Sequence, residues 1–437
     1  MLQERIGKWM ASYAQNGYLN GSILIARNGQ VIFKEGFGMA NREHKVPNTP
    51  ATKFRIGSLT KAFTAMGIFQ LHEEKKLNIN DTLDKYISDY PNGDRISIYH
   101  CLTNTSGIPN YTSFPDFWSY TMRLPLTLTQ LIDSFKVRDL EFEPGSRFGY
   151  SNSGYALLTQ IIESVSGMSY FDYIREKICQ PLGMYHTGCD DGVRIVSNLA
   201  SGYSFFEEPI HAAYTDLSFP LGCYGLYSTT EDLFIWDQAL KTSKLLSKNS
   251  TKKMFTPNHG SYACGWMISE MQGRTCINHF GDIDGYFSDF LRFVDDDVTI
   301  IFLSNMSVTP VTHLSREMAK LVFGENVSLP LPAEPIQYNK RELIVGKYSD
   351  HYDTVMLDIS LKNNELYLTV PKMYGVLYKF KLIPVSQDTA RVTFITEMVN
   401  EQLVFRYSAS GEIEHVEYTD DSSNRHLLHK AVPKIDE

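Results

Sequence analysis

The feature that most limits what this chain can become is the proline-free run over residues 58 to about 76. Gly57 precedes it and allows a tight backbone turn. Leu59, Ala62, Phe63, Ala65, Met66, Ile68, Phe69 and Leu71 fall on nearly every side of a helix drawn through the run. A helix apolar all round lies inside a core, so the rest of the chain has to enclose it. Yet Lys61 sits in its first turn, three residues from Ser58 and on the same face. A lysine in a buried helix costs free energy unless it is paired or its pKa is depressed. A depressed amine beside a hydroxyl is a base beside a nucleophile. The helix N-terminus adds N–H groups suited to an oxyanion. Spacing alone leaves a plainer alternative, an N-cap serine with an exposed lysine. The same spacing recurs at Ser250 and Lys253, in a lysine-rich polar stretch that reads as a solvated face.

A chain of 437 residues exceeds one compact domain, so two or three are expected. The net charge of −9, without a large basic block, argues against a nucleic-acid partner. No apolar run reaches bilayer-spanning length. The first residues lack the apolar region of a signal peptide. The location therefore stays open: cytoplasmic, or extracellular or periplasmic if a leader has been removed. Six scattered cysteines without a Cys-x-x-Cys pair read as small core residues, mildly favouring a reducing compartment.

Taken in order, residues 1–20 read as a short amphipathic helix. Two apolar runs around Asn28-Gly29 read as a hairpin. Gly36-Phe37-Gly38 is an incomplete nucleotide fingerprint and reads as a strand end. Residues 153–165 read as a helix stopped by Gly167, residues 190–220 as a long loop, and residues 230–240 as a helix. A second hairpin is expected around Asp295-Asp296-Asp297, then a helix over 310–323. Strands at both sequence ends with helices between them imply a mixed sheet with a helical insert over residues 1–325. Residues 326–337, with Pro330, Pro332 and Pro335, read as a linker. Short alternating strands then imply a separate small all-β barrel over 338–437.

Two further stretches carry chemistry. In Tyr150-Ser151-Asn152, a phenol aimed into a dry site near an ammonium ionises more easily and can relay a proton. Asn152 could hold a lysine or a substrate amide. With 26 tyrosines in the chain, a packed core ring is the plainer reading for any one of them. In His279-Phe280-Gly281-Asp282, Gly281 lets backbone approach a ligand and an edge strand could present an N–H to an oxyanion. A lone histidine is more often structural.

Together and in this order, Ser58-Leu59-Thr60-Lys61, Tyr150-Ser151-Asn152 and His279-Phe280-Gly281 resemble the motifs of the serine β-lactamase and penicillin-binding protein superfamily. The likeness is closer to its class C β-lactamase-related group, which includes D-alanyl-D-alanine carboxypeptidases, D-amino-acid peptidases and family VIII esterases. It covers roughly residues 5–325, and the last hundred residues resemble a lipocalin-like domain. The resemblance implies an α+β fold, β-lactamase/transpeptidase-like, with an antiparallel sheet flanked by helices and a helical subdomain, followed by the small barrel. It implies acyl transfer in two steps. Ser58 is the nucleophile, Lys61, Tyr150 or both take its proton, and Asn152 orients Lys61 and the substrate. His279 and Gly281 belong to the substrate-binding strand, and the N–H groups of Ser58 and Asp282 form the oxyanion hole. The resemblance implies a small-molecule or peptide substrate, with cell-wall material among its sources, and most readily a D-amino-acid-containing peptide or ester. A carboxylesterase on small esters and a non-catalytic binding protein are the alternatives. No cofactor or metal is implied, and neither His-Glu-x-x-His nor clustered Cys/His occurs. Oligomeric state stays open. Three departures stand out. Asn104 stands where the group often has His, and Asp282 and Asp284 stand where smaller residues are common. Two carboxylates beside the oxyanion strand disfavour an anionic substrate group.

Overall fold

The computed structural model describes residues 2–331, 334–352, 354–371 and 377–431. By their contacts the residues fall into two compact units, neither continuous in sequence. One comprises Gly21–Ser201 and Ala213–Asn305; the other comprises Met1–Asn20, Gly202–Ala212 and Met306–Glu437.

The first unit is built on a six-stranded antiparallel sheet. Its strands are β1 (Gly21–Arg27), β2 (Gln30–Phe37), β3 (Met267–Met271), β4 (Arg274–Ile283), β5 (Tyr286–Phe293) and β6 (Val298–Ser304). Their order is β3-β4-β5-β6-β1-β2. The first strand thus pairs with the last, Ile23 opposite Phe302, as the reading of strands at both sequence ends anticipates. Asn28 and Gly29, at φ 53° and 69°, form the two-residue turn between β1 and β2. Positive φ at both positions is what an Asn-Gly hairpin turn requires.

The insert between β2 and β3 is mainly helical. It carries α1 (Thr60–Glu73), α2 (Asn152–Ser166), α3 (Leu221–Tyr224) and α4 (Thr230–Leu240). Every residue of α1 from Thr60 to Phe69 is buried. Phe63 stacks on Trp236 of α4 with ring centroids 4.3 Å apart. The helix opens with a 3₁₀ turn, Gly57–Leu59, instead of starting as an α-helix at Ser58. Gly167, at φ 70°, ends α2 in the left-handed conformation that a glycine C-cap supplies.

The second unit holds the helices Leu2–Gln15 and Val311–Val322, which pack on each other, and a closed barrel. The barrel strands are β7 (Gly346–Ser349), β8 (Met356–Lys362), β9 (Glu365–Pro371), β10 (Leu377–Gln387), β11 (Arg391–Thr396), β12 (Gln402–Tyr407), β13 (Ile413–Thr419) and β14 (Arg425–Lys430). Each pairs antiparallel with the next, and β14 returns to β7 with Tyr348 opposite Lys430. Closure leaves no free edge. Leu368, Phe380, Phe394, Phe405 and Val416 fill the interior. Of the expected linker, residues 332 and 333 lie outside the described residues, and the described remainder forms no helix or strand.

One expectation fails. Residues 190–220 are not a plain loop, because Tyr203–Phe206 and Glu208–His211 form a hairpin. The hairpin joins β10 at Phe206 and Lys379, and Glu207 takes ion pairs from Lys362 and Lys379, each at 2.6 Å. These partners lie more than 150 residues away in sequence, beyond the reach of local pattern.

Candidate active site

The site lies within the first unit. Ser58 occupies the 3₁₀ turn and Lys61 the first turn of α1. Lys61 is completely buried. Its Nζ donates to Ser58 Oγ at 3.1 Å, to Asn152 Oδ1 at 2.7 Å and to the Cys223 carbonyl at 2.8 Å. An ammonium has three donors, so all three are used. Burial lowers the amine to about 8, with Asp282 among the groups that oppose the shift.

Tyr150 comes from the loop before α2, and its hydroxyl donates to Ser58 Oγ at 2.8 Å. Lys61 Nζ lies 4.9 Å from the centroid of the Tyr150 ring. The loop is held from beneath by residues 104–112. Gly149 N–H donates to the Asn104 carbonyl at 2.8 Å and Ser151 N–H to Asn104 Oδ1 at 3.1 Å. Asn152 N–H donates to Asn110 Oδ1 at 3.0 Å. Asn152 Nδ2 donates to Thr112 Oγ1 at 3.1 Å, which fixes the amide that receives Lys61. Asn104 itself sits at φ 53°, a left-handed position that asparagine tolerates. At the position where the resembling group often has histidine, this chain has a turn residue whose side chain clamps the tyrosine loop. Tyr150 does not behave as its motif suggests. Burial, reinforced by Tyr262, raises the phenol well above its ordinary range. It is therefore protonated at neutral pH and is a hydrogen-bond donor there.

The third stretch lies on β4. Beyond Asn278 this strand has no partner from β3, so residues 279–283 present a free edge. A Cβ on Gly281 would overlap the Ile56 carbonyl oxygen and the Ser288 hydroxyl, and would come within 3.0 Å of Ser58 N. A Cβ on Gly57, at φ 53°, would overlap the backbone of Asp282. Two glycines, one on each element, thus bring the backbones of the nucleophile turn and the strand into contact. Ser288 Oγ donates to the Ile56 carbonyl at 2.8 Å and ties the two elements together.

His279 is 3% exposed. Its Nε2 is 3.0 Å from the Tyr262 hydroxyl and its Nδ1 bonds the Phe280 carbonyl. Burial, then the charge of Lys61, lowers it to about 3. The ring is neutral, with both nitrogens committed to protein partners. Asp282 is pushed up to about 6 by burial, opposed by Lys61, and Asp284 to about 6 by burial, opposed by Arg123. The Oδ2 of Asp282 is enclosed and accepts no hydrogen bond from the described residues.

The fold therefore gathers Ser58, Lys61, Tyr150 and Asn152 into one hydrogen-bonded cluster and sets Gly281 and Asp282 against it by backbone. His279 stands beside the cluster, its ring centroid 6.5 Å from that of Tyr150. Sequence reasoning did not find the Cys223 carbonyl or Tyr262. A backbone acceptor leaves no side-chain signal, and Tyr262 is one tyrosine among 26. Among the described residues no group of three or more His, Cys, Asp or Glu is placed to hold a metal ion. No helix among them is long and apolar enough to cross a membrane.

Comparison with known proteins adds the following. The Beta-lactamase family model matches residues 5–324. Penicillin-binding protein 4* of Bacillus subtilis (strain 168) is 30% identical over 389 residues, covering 80% of this chain and 84% of that protein. The octameric penicillin-binding protein homologue from Pyrococcus abyssi superposes with a TM-score of 0.67 at 26% identity, covering 97% of this chain and all of that one. The D-amino acid amidase from Ochrobactrum anthropi SV3 shares the fold, with a TM-score of 0.64 at 22% identity over 74% of this chain and 98% of that one.

Proposed function

Because the chain belongs to the Beta-lactamase family, a superfamily of serine hydrolases, we propose that it works through an acyl-enzyme on Ser58, with D-amino-acid-containing peptides or esters as substrates. The observation that carries this reading is the convergence on one hydroxyl. Ser58 Oγ receives Lys61 Nζ at 3.1 Å and Tyr150 OH at 2.8 Å, from elements about ninety residues apart.

Ser58 Oγ attacks the substrate carbonyl carbon and gives up its proton to a base. Lys61 suits that role, since burial brings its amine to about 8 and leaves a neutral fraction near neutral pH. Tyr150, held protonated, is placed to donate to the leaving group and to be reprotonated from Lys61. The oxyanion would be received by the backbone N–H groups of Ser58 and Asp282, each donor worth about 3 kcal/mol in the transition state. Collapse breaks the bond to the leaving group and leaves the ester on Ser58. Water then adds by the same route, its proton passing to Lys61 and from there to Ser58 Oγ as the ester bond breaks and the acid is released. Asn152 holds the amine in line through its 2.7 Å bond. The penicillin-binding relative supports the class, because penicillin is a strained amide that a nucleophilic serine opens.

The test is intact-mass detection of an acyl adduct on Ser58 with a fluorophosphonate or penicillin probe. Ser58→Ala is expected to abolish both adduct and turnover, and unchanged labelling of that variant rejects the reading. Rates on p-nitrophenyl esters, D-alanyl peptides and nitrocefin then separate esterase, peptidase and β-lactamase.

A further inference from the structure

The charges around the cluster do not suit an anion. Lys61 is fully spent on Ser58, Asn152 and Cys223. His279 is neutral, with both nitrogens occupied by Tyr262 and Phe280. The charge of Arg123 acts on the carboxylate of Asp284 and partly opposes the effect of its burial. Against these stands Asp282, whose charge reaches Lys61, Tyr150 and Tyr224 and whose Oδ2 is enclosed without a donor. A buried acceptor left unmatched is costly, and a donor brought by a ligand would remove that cost.

We propose that the site selects acyl donors with an ammonium beside the scissile carbonyl and turns away those with a carboxylate there. The inference rests on the hydrolase reading and deepens it. Asp282 is the residue whose backbone N–H meets the carbonyl oxygen in that reading. Its side chain leaves the same Cα, so the group it recognises is the one bonded next to the carbonyl carbon. An ammonium there supplies donors to Oδ2. A carboxylate there faces Asp282 and Asp284 with no uncommitted cation within the cluster, and like charge rejects it. Where a site is built to pair with a substrate donor, an analogue lacking it is disfavoured by much more than a change of size would be.

The test compares one skeleton in three charge states: D-alanine p-nitroanilide, its N-acetyl derivative and its N-succinyl derivative. In the wild type kcat/KM is expected to be at least tenfold higher for the free amine than for the acetyl compound, and lowest for the succinyl compound. In Asp282→Asn the ratio of amine to acetyl is expected to fall towards one. The ratio cancels any general loss at the oxyanion donor, since both substrates share it. Asp282→Ser serves the same purpose if the asparagine variant does not fold. Equal rates on the three compounds in the wild type, or an unchanged ratio in the variant, overturn the inference. If Ser58 still labels with a fluorophosphonate, only this inference is lost. If neither labelling nor turnover occurs, the hydrolase reading falls and takes the inference with it.

Discussion

Gly281→Ala tests whether the strand and the nucleophile turn form one catalytic unit. The added methyl would overlap the Ile56 carbonyl oxygen and the Ser288 hydroxyl and stand 3.0 Å from Ser58 N. Two of those three neighbours belong to the 3₁₀ turn and its cap, both buried, so they cannot swing aside as a flexible side chain would. To restore ordinary contact β4 must retreat by on the order of 1 Å, a displacement of the size that costs about 10²-fold when it misplaces a reacting group. Loss of one oxyanion donor is worth about 10²–10³-fold in kcat. The expected result is a fall in kcat of about a hundredfold or more on a p-nitrophenyl ester, with KM little changed. Overpacking costs about 1–3 kcal/mol of stability, so a cooperative unfolding transition, shifted but intact, should accompany it. Gly7→Ala is the control. It lies in the helix Leu2–Gln15 with nothing within 4 Å of its added Cβ, and it should keep full activity and gain about 0.5–1 kcal/mol. If Gly281→Ala keeps kcat within threefold of wild type, the close approach of the two backbones is not what organises the site.

Three other outcomes follow from the same geometry. If neutral Lys61 is the base, kcat/KM should rise with pH through about 8. Lys61→Arg should remove that limb along with most of the rate, and a wild-type profile flat from 7 to 9 would contradict it. The same depressed pKa makes the contribution of Lys61 to stability fully present above 10.5 and lost as pH falls through about 8. The unfolding free energy should therefore rise more between pH 7.5 and 9.5 in wild type than in Lys61→Met. Asp237 and Arg292 are both buried, bonded at 2.7 Å, and Thr299 Oγ1 adds a bond to the same carboxylate at 2.8 Å. Asp237→Ala leaves the guanidinium without its carboxylate and should lower stability by about 3–5 kcal/mol in a denaturant titration.

The fold was legible where local chemistry and tertiary demand agree. Asn28-Gly29 can turn a hairpin by itself, and the apolar circumference of α1 required a core around it. Gly167 ended α2 as a glycine C-cap does. Legibility failed where pairing is long-range. The hairpin over residues 203–211 takes its ion pairs from Lys362 and Lys379. β3 is short, half-buried and charged at Glu270, so its alternation is weak. It matters all the same, because by ending its pairing at Asn278 it leaves the edge of residues 279–283 open beside Ser58.

For the site, residue types were legible and their states were not. Ser58 and Lys61 stood out by their place in a buried run, Tyr150 and Asn152 through the family resemblance, and the four meet in space. Which of them is a base depends on burial, which no motif records. A phenol beside an amine suggests a lowered pKa, yet enclosure raises Tyr150 and lowers Lys61. Under the proposed mechanism, that difference favours the lysine as the proton acceptor. The same enclosure acts on His279. The ring is neutral because burial, then the charge of Lys61, keeps a second proton off it, and the hydroxyl of Tyr262, seventeen residues upstream, meets its Nε2 at 3.0 Å. Tyr262→Phe should therefore be informative. It removes the hydroxyl but keeps the ring that meets Tyr150 edge-on at 6.1 Å. A freed Nε2 regains room for a proton, so the variant should bind anionic acyl donors better than wild type does, seen as a lower KM for the N-succinyl anilide relative to the N-acetyl one. An unchanged KM ratio would mean that the neutrality of His279 comes from burial alone and that its phenol partner contributes nothing to charge selection.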